Sequence, residues 1–485
     1  MIDSIKLRWF YITSFVFVIA NIIGFSFDFP WVGLLPFILI FIFLILFKLD
    51  KVLLMLAFLV PLSVNFEDVG FGLGISLPDE PLIMLIMCLA VFKFIIYSEY
   101  DYKVFRHPIT IAIMVNFLWL VLTTFTSQHP FVSFKYTLSR FWYVIVFYFL
   151  GIIIFKHFKN IIRYLWLYII PLTVIVVYTL YKHSTFGFTL IESYQIMRPF
   201  FIAHGIYAAT LCFFVPLLVS YLLFYRRFGI NLFYGLMILG TLIIFLLGIY
   251  FSYTRAAWIG LVVASCFLVP VLLRIRFNTI LAILGVSIAL TFTFQNEIVY
   301  LLSKNAQRSG NTFEHHFQSI SNIKTDPSNT ERINRWMSAI SMFEERPVLG
   351  FGPGTYSFCY APYQQSKNLT VISTNFGDGG NAHSEYLNTL SESGIFGLFS
   401  FLLILYFVFN TGFKLYYTSK RFKVRIVSLS IILGLITYFV HGFLNAYSET
   451  DKIGSILWAA YGMITALDIY QDKSKEDSKP MRELQ

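Results

Sequence analysis

Asn381-Ala-His383-Ser-Glu385-Tyr386-Leu-Asn388-Thr-Leu-Ser-Glu392-Ser-Gly394-Ile-Phe-Gly397 is the point at which a long polar segment runs into an unbroken apolar one. The polar segment, residues 295–391, is the only long water-loving stretch in a chain of 485 residues. It delivers a histidine to the mouth of an apolar helix, beneath a segment carrying several arginines. That arrangement predicts a reaction site at a membrane surface.

Composition sets the class around it. With 58% hydrophobic and 13% charged residues and a mean hydropathy of +0.72, the chain is too apolar for a soluble protein of this size. Its 55 Phe and 30 Tyr suit lipid-facing helices and interfacial belts. The fold class expected is all-α, a polytopic membrane helix bundle of 12–14 spans with one large outward loop. Cys88, Cys212, Cys266 and Cys359 are scattered, so neither a disulfide framework nor a metal cluster is readable. His315 and His316 are adjacent with no third ligand at useful spacing, which leaves no metal set and no cofactor.

Apolar runs fall at about 7–27, 31–47, 51–64, 81–98, 109–126, 140–155, 161–181, 204–225, 232–251, 256–273, 278–294, 392–413, 424–442 and 453–470. The first lacks a following small-residue cleavage site and is read as a span. These runs divide the chain into an N-terminal transmembrane part (1–294), the outer loop (295–391), C-terminal transmembrane helices (392–470) and a charged tail (471–485) expected to be disordered. Lys and Arg mark alternate connections, from Lys6/Arg8 and Lys48/Lys51 to Arg274/Arg276 and Lys414 to Arg425. By the positive-inside rule this puts both termini in the cytoplasm and 295–391 outside. The formal net charge of +10 is then mostly topology, and nucleic acid is discounted as a partner.

Several residues stand apart from topology. Arg198 precedes the 204–225 span and Arg255 lies between two closely joined spans, both on the outer side, where charge at the edge of hydrocarbon anchors, pairs or serves a site. Within the loop, Ser328-Asn-Thr-Glu331 matches a capping box, and Ile333, Trp336, Ile340 and Phe343 at helical spacing predict an amphipathic helix over about 329–345. Such a helix lies on the bilayer or covers a cavity. Arg332 and Arg335 project near its start, where an anion could be held, although a solvated polar face explains Arg335 equally well. Gly350-Phe-Gly352-Pro-Gly354 is a tight turn that lacks the rest of a P-loop. His383 at a helix start is expected to stay neutral and able to accept a proton, which suits a general base.

Arg198 before a span, Thr254-Arg255-Ala-Ala-Trp258, Arg332-x-x-x-Trp336 leading to Gly350-x-Gly352-x-Gly354, then His383 with Tyr386-Leu387 and Glu392-x-Gly394-x-x-Gly397 together resemble the bacterial O-antigen ligase and polymerase superfamily. The motifs cover roughly residues 190–410. The resemblance implies an inverting, metal-independent transfer of a glycan from undecaprenyl diphosphate to an acceptor outside the cytoplasmic (inner) membrane. It implies His383 as the catalytic histidine and Arg198, Arg255 and Arg332 as holders of the diphosphate. Beside the resemblance, Arg335, Tyr386 and Glu385 are supporting candidates by their position, Glu385 being the alternative base. Tyr253, Trp258, Trp336 and Tyr386 are candidates for stacking on sugars. An O-antigen ligase acting on lipid A-core is the leading expectation. A polymerase joining lipid-linked glycans and a protein O-oligosaccharyltransferase are alternatives. A polysaccharide transporter is the reading from another class; it predicts internal repeats and mid-membrane charges, and the sequence has neither.

Overall fold

The computed structural model describes residues 2–26, 33, 48–66, 75–96, 101–293, 327–369, 373 and 380–470. The expected span at 31–47, the His315-His316 pair, most of the Gly377–Gly380 turn and the charged tail lie outside the described residues. The chain divides into two units, residues 1–55 and 56–485. The first contains helix α1 (Ile2–Ser26). Helix α2 (Leu49–Leu62) begins there and runs into the second.

In the second unit a two-stranded antiparallel hairpin, β1 (Val64–Phe66) and β2 (Ile75–Leu77), occupies the connection before helix α3 (Asp79–Ile96). The all-α expectation contained no strands, and these six residues are the strands found among the described residues. Helices α4 (Pro108–Phe125), α5 (Pro130–Phe155), α6 (Phe158–Ser184), α7 (His204–Leu223), α8 (Leu232–Phe251) and α9 (Arg255–Leu272) follow. Then come α10 (Phe277–Thr293), the amphipathic α11 (Pro327–Glu345), and α12 (Glu385–Thr418), α13 (Phe422–His441) and α14 (Asp451–Tyr470). Among the described residues, nine of these helices are long and apolar enough to cross a membrane. Helix α5 begins ten residues before the apolar run predicted at 140–155, and its Val144–Leu150 stretch is π-helical. At 26 residues it is about 39 Å long, more than the ~30 Å of a hydrocarbon core requires.

The helices pack closely because small residues stand at their crossings. A Cβ on Gly434 of α13 would lie 2.4 Å from the Phe213 carbonyl of α7, and one on Gly260 of α9 2.6 Å from the Thr437 carbonyl of α13. Backbone-to-backbone approach of this kind is how helices associate where lipid removes the hydrophobic drive. The start of α14 is stapled by Lys452. Its buried ammonium donates to the Val60 carbonyl (2.7 Å) and the Ser63 carbonyl (3.0 Å) and meets Asp451 at 2.9 Å.

Hydrogen bonds sort the connections into two ends. At one end His107 meets Asp468 (3.4 Å), Lys423 donates to the Phe228 carbonyl and Tyr417 to those of Val271 and Ile275. At the other, Gln128 donates to Phe351, Thr254 meets His204, and Glu385 meets Gly442. The second end carries the described parts of the polar segment, 327–369 and 380–391, with Arg332, Arg335, His383, Glu385 and Tyr386, and the Thr254-Arg255 turn.

Two backbone strands cross there. Gly350 and Gly394 both adopt left-handed φ (67° and 68°), and Gly394 breaks α12 one residue beyond Ser393. A Cβ on Gly394 would stand 2.1 Å from the Val348 carbonyl, and one on Gly350 2.4 Å from Glu392 backbone. Left-handed φ alone costs a side chain about 1–3 kcal/mol. Gly394→Ala should therefore lower the melting temperature of the detergent-solubilised protein by several degrees. Gly240→Ala on α8, where an added Cβ meets nothing within 4 Å, should leave it level or raise it. An unchanged melting temperature for Gly394→Ala would show that the crossing does not hold the segment together.

Candidate functional site

The glycine loop is built as a receptor for a carboxylate of the protein itself. Gly354 N donates to Glu392 Oε2 (2.9 Å) and Tyr356 N to Oε1 (3.0 Å). Gly352 N donates to the Glu392 carbonyl (2.8 Å) and Phe351 N to that of Ser391 (3.1 Å). These amides are consumed, so the turn holds Glu392 where sequence alone left phosphate binding open.

Helix α11 begins at Pro327 and ends at Glu345, close to the 329–345 expected for it, and Pro347 follows two residues on. Its buried face differs from the expected one. Ile333, Trp336, Ile340 and Phe343 are half-buried, whereas Glu331, Asn334, Arg335, Ser338, Ala339 and Met342 are buried. The polar face packs inward because it is fully hydrogen-bonded. Asn334 Nδ2 donates to Gln364 (2.9 Å) and Asn334 Oδ1 accepts from Gln365 N (3.1 Å). Arg335, only 4% exposed, pairs with Glu331 at 2.8 Å, donates to the Asn381 carbonyl at 2.9 Å and lies over the Tyr360 ring. It is neither a solvated face nor an open anion fork. It braces the turn that carries His383.

That turn is held from every side. Asn381 Oδ1 accepts from His383 N (3.0 Å), Asn381 Nδ2 donates to the Ala446 carbonyl (2.7 Å), and Asn388 Oδ1 accepts from Ala382 N (3.2 Å). Trp336 Nε1 donates to the His383 carbonyl (3.3 Å). His383 takes φ 51°, a strained conformation for a residue with a side chain, which surroundings of this kind can enforce. Among the described residues its Nδ1 is buried without a hydrogen-bond partner. Burial, then the charges of Arg335 and Arg332, push the imidazole pKa down to about 3. The expected neutrality thus holds, but through desolvation and two guanidinium groups rather than through the helix dipole.

Arg332 is the centre of the cluster. Its charge acts on His383, on His204 at the start of α7, on His441 at the end of α13 and on Tyr447 in the turn between α13 and α14. His204 Nδ1 lies 2.9 Å from the Ser252 carbonyl and 3.3 Å from Thr254 Oγ1, the residue that precedes Arg255. The Tyr194 ring, on the same connection as Arg198, packs on His204 at 4.8 Å. Arg198 and Arg255 are both exposed at this end. Gly205 admits Tyr447, whose hydroxyl would lie 2.3 Å from a Cβ there.

Glu385 and Tyr386 serve the framework. Glu385, 6% exposed, accepts from Tyr447 N (2.7 Å), Ser448 N (2.8 Å), Ser448 Oγ (2.8 Å) and Tyr438 Oη. Tyr386 stacks on Phe443 at 4.3 Å and donates to the Phe439 carbonyl. The hydroxyl of Tyr253 and the indole N–H of Trp336 are likewise committed to carbonyls. His204, His441 and Tyr447 had no role in the sequence reading. The visible signal was a histidine-glycine pair at each helix end, His204-Gly205 and His441-Gly442, a pattern too short to interpret without knowing that the two ends meet.

Residues 240–402 match the profile of a family described as O-antigen ligase. The match spans Arg255, Arg332, His383 and Glu392 and supports the O-antigen ligase and polymerase superfamily. It implies a glycosyltransferase-like enzyme, and with the nine apolar helices an integral membrane protein. No curated protein matches the chain.

Replacing Glu385 by Gln puts an amide N–H₂ among groups that all donate. Charged hydrogen bonds are worth about 1.5–3 kcal/mol each, so Glu385→Gln should lower the melting temperature clearly. A variant with unaltered stability but no activity would instead mark Glu385 as a proton acceptor.

Proposed function

On the premise of the O-antigen ligase match over residues 240–402, we propose that this protein is an O-antigen ligase-like transferase. It moves a glycan from undecaprenyl diphosphate to a lipid A-core acceptor on the outer face of the bacterial inner membrane. The observation that carries the reading is a neutral imidazole, His383, held in a strained turn within the field of Arg332.

The chemistry follows from that pair. His383 takes the proton of the acceptor hydroxyl as its oxygen attacks the anomeric carbon. The bond from that carbon to the diphosphate oxygen breaks, and the pair of electrons leaves on the lipid diphosphate. Attack opposite the leaving group inverts the anomeric configuration. Arg332, with Arg198 and Arg255 at the same end, holds the diphosphate as charge grows on it; guanidinium suits this because it stays charged and binds phosphate oxygens through two N–H groups. A base whose pKa is about 3 is weak on its own. Burial depresses it most and the guanidinium charges add to that; the bound diphosphate offsets the guanidinium share, so His383 gains basicity when the donor is in place.

The test is glycan transfer by purified variants in detergent, with carrier binding measured in parallel. His383→Ala should bind the carrier and lose turnover by at least ~100-fold, the low end for a general base. His383→Gln should be nearly as poor, and a Gln variant at the parental rate would limit the residue to orienting substrate. Arg255→Lys should lose much of the activity while keeping its charge, because Lys lacks the planar fork. Transfer to a second lipid-linked glycan, or to protein, in place of lipid A-core would make the enzyme a polymerase or a protein glycosyltransferase with the same centre.

The pH dependence is a separate check. For the free enzyme, kcat/KM reports ionisation of the uncomplexed base. A histidine with its pKa lowered to about 3 remains unprotonated as pH falls, so kcat/KM should show no acid limb near 6.5 down to pH 5. A limb centred near 6.5 that vanishes in His383→Gln would contradict the burial of this imidazole.

A further inference from the structure

A small cavity lies where the β1–β2 hairpin, the connection leading into α7 and the start of α14 meet. Asn65, Ser76, Asp451 and Lys452 line it, together with Phe200 and Ile202. It leaves about 10 Å³ for the centre of a water-sized group, the room of about one water or one hydroxyl. Asn65 and Ser76 are register partners in the hairpin, so both side chains stand on one face of it. Ser76 is 3% exposed. Its N–H is committed to Glu80 (3.0 Å), whereas its hydroxyl and the side-chain amide of Asn65 have no hydrogen bond among the described residues.

The charges beside the cavity are already matched. Lysine has three N–H groups to give, and the carbonyls of Val60 (2.7 Å) and Ser63 (3.0 Å) and the Asp451 carboxylate (2.9 Å) take those of Lys452. Nothing is left over to hold an anion. Asp451 also accepts from the Ser63 hydroxyl (2.9 Å), and the ammonium next to it opposes a metal cation. A neutral group that both donates and accepts is what the lining suits: the Asn65 N–H₂ gives to it, and the Ser76 oxygen receives from it. The apolar part of the lining narrows the choice further. Ile202 is exposed and Phe200 half-buried, a surface of the kind on which the C–H face of a sugar ring packs while a hydroxyl reaches polar partners.

The cavity adjoins the reaction centre along two segments. Phe200 and Ile202 lie between Arg198 and His204 on one connection. Thr450, next to Asp451, donates its N–H to the Tyr447 carbonyl (3.0 Å), and the Tyr447 N–H is held by Glu385 (2.7 Å).

We propose that this cavity is a saccharide subsite, taking one hydroxyl of a sugar presented at the reaction centre, with Phe200 and Ile202 against the ring. The assignment rests on the transfer reading above. Because Phe200 lies two residues beyond Arg198, which that reading places on the diphosphate, the sugar bonded to the diphosphate is the nearer source of the hydroxyl and the acceptor saccharide the other.

The full-length protein in detergent is titrated separately with the undecaprenyl-diphosphate glycan isolated from the source cells, with bare undecaprenyl diphosphate and with delipidated core oligosaccharide. Ser76→Val fills the cavity with methyl groups and suits a strand; Asn65→Ala removes the amide and decides the matter should Ser76→Val unsettle the hairpin. Both should weaken binding of the glycan-bearing carrier by about tenfold and leave the bare carrier bound as in the parent. A loss confined to the core oligosaccharide would assign the same hydroxyl pocket to the acceptor. Parental affinity of both variants for both saccharides overturns the subsite and leaves the cavity to a water. Failure of the parent to bind even the bare carrier, or parental turnover in His383→Ala, would sink the transfer reading instead, a result separate from unchanged affinities in variants of a parent that does bind.

Discussion

The Glu392 carboxylate, bound by the amides of Gly354 and Tyr356, is the contact on which the polar end of the molecule depends. It closes the crossing of the 347–356 strand over the break in α12 and spends the amides of the glycine turn. Without it, two backbone amides and a buried carboxyl would lack partners, a cost of about 1–3 kcal/mol for each polar group. Because α11 precedes this crossing and His383 lies one helical segment before Glu392, the arginine helix and the histidine turn are both referred to the same point.

Around that point the protein uses its buried carboxylates as structural acceptors and leaves its imidazoles under-satisfied. Glu331 is filled by Arg335, Glu385 by four donors and Glu392 by two amides. His383 and His441 each keep a buried nitrogen without a partner among the described residues. The division matters for function. A saturated carboxylate is rigid and chemically silent, whereas an imidazole with an uncommitted nitrogen next to a guanidinium can exchange protons and hydrogen bonds with a substrate.

The arginines divide in the same way. Arg335 and Arg332 are three residues apart on one helix, and both project near its start as candidates to hold an anion. In the fold Arg335 turns into a dry clamp of Glu331, Tyr360 and the Asn381 carbonyl, while the charge of Arg332 reaches histidines on two other helices.

Sequence by itself determined the membrane class, most helix positions and the α11 helix, because hydropathy and helical periodicity are local properties of the chain. It also carried the family resemblance, since that rests on motifs in order. Tertiary structure decided which face of α11 is buried, because a polar face can pack inward once every group on it finds a partner, and no periodicity records partners. It decided that the glycine turn grips Glu392 rather than a phosphate, and that His204, His441 and Tyr447 gather round Arg332. The last of these depends on helix ends more than a hundred residues apart in sequence meeting in space, and the first two on segments some 30 to 50 residues apart; the resulting burial and charge, not the residue types alone, set what each side chain can do.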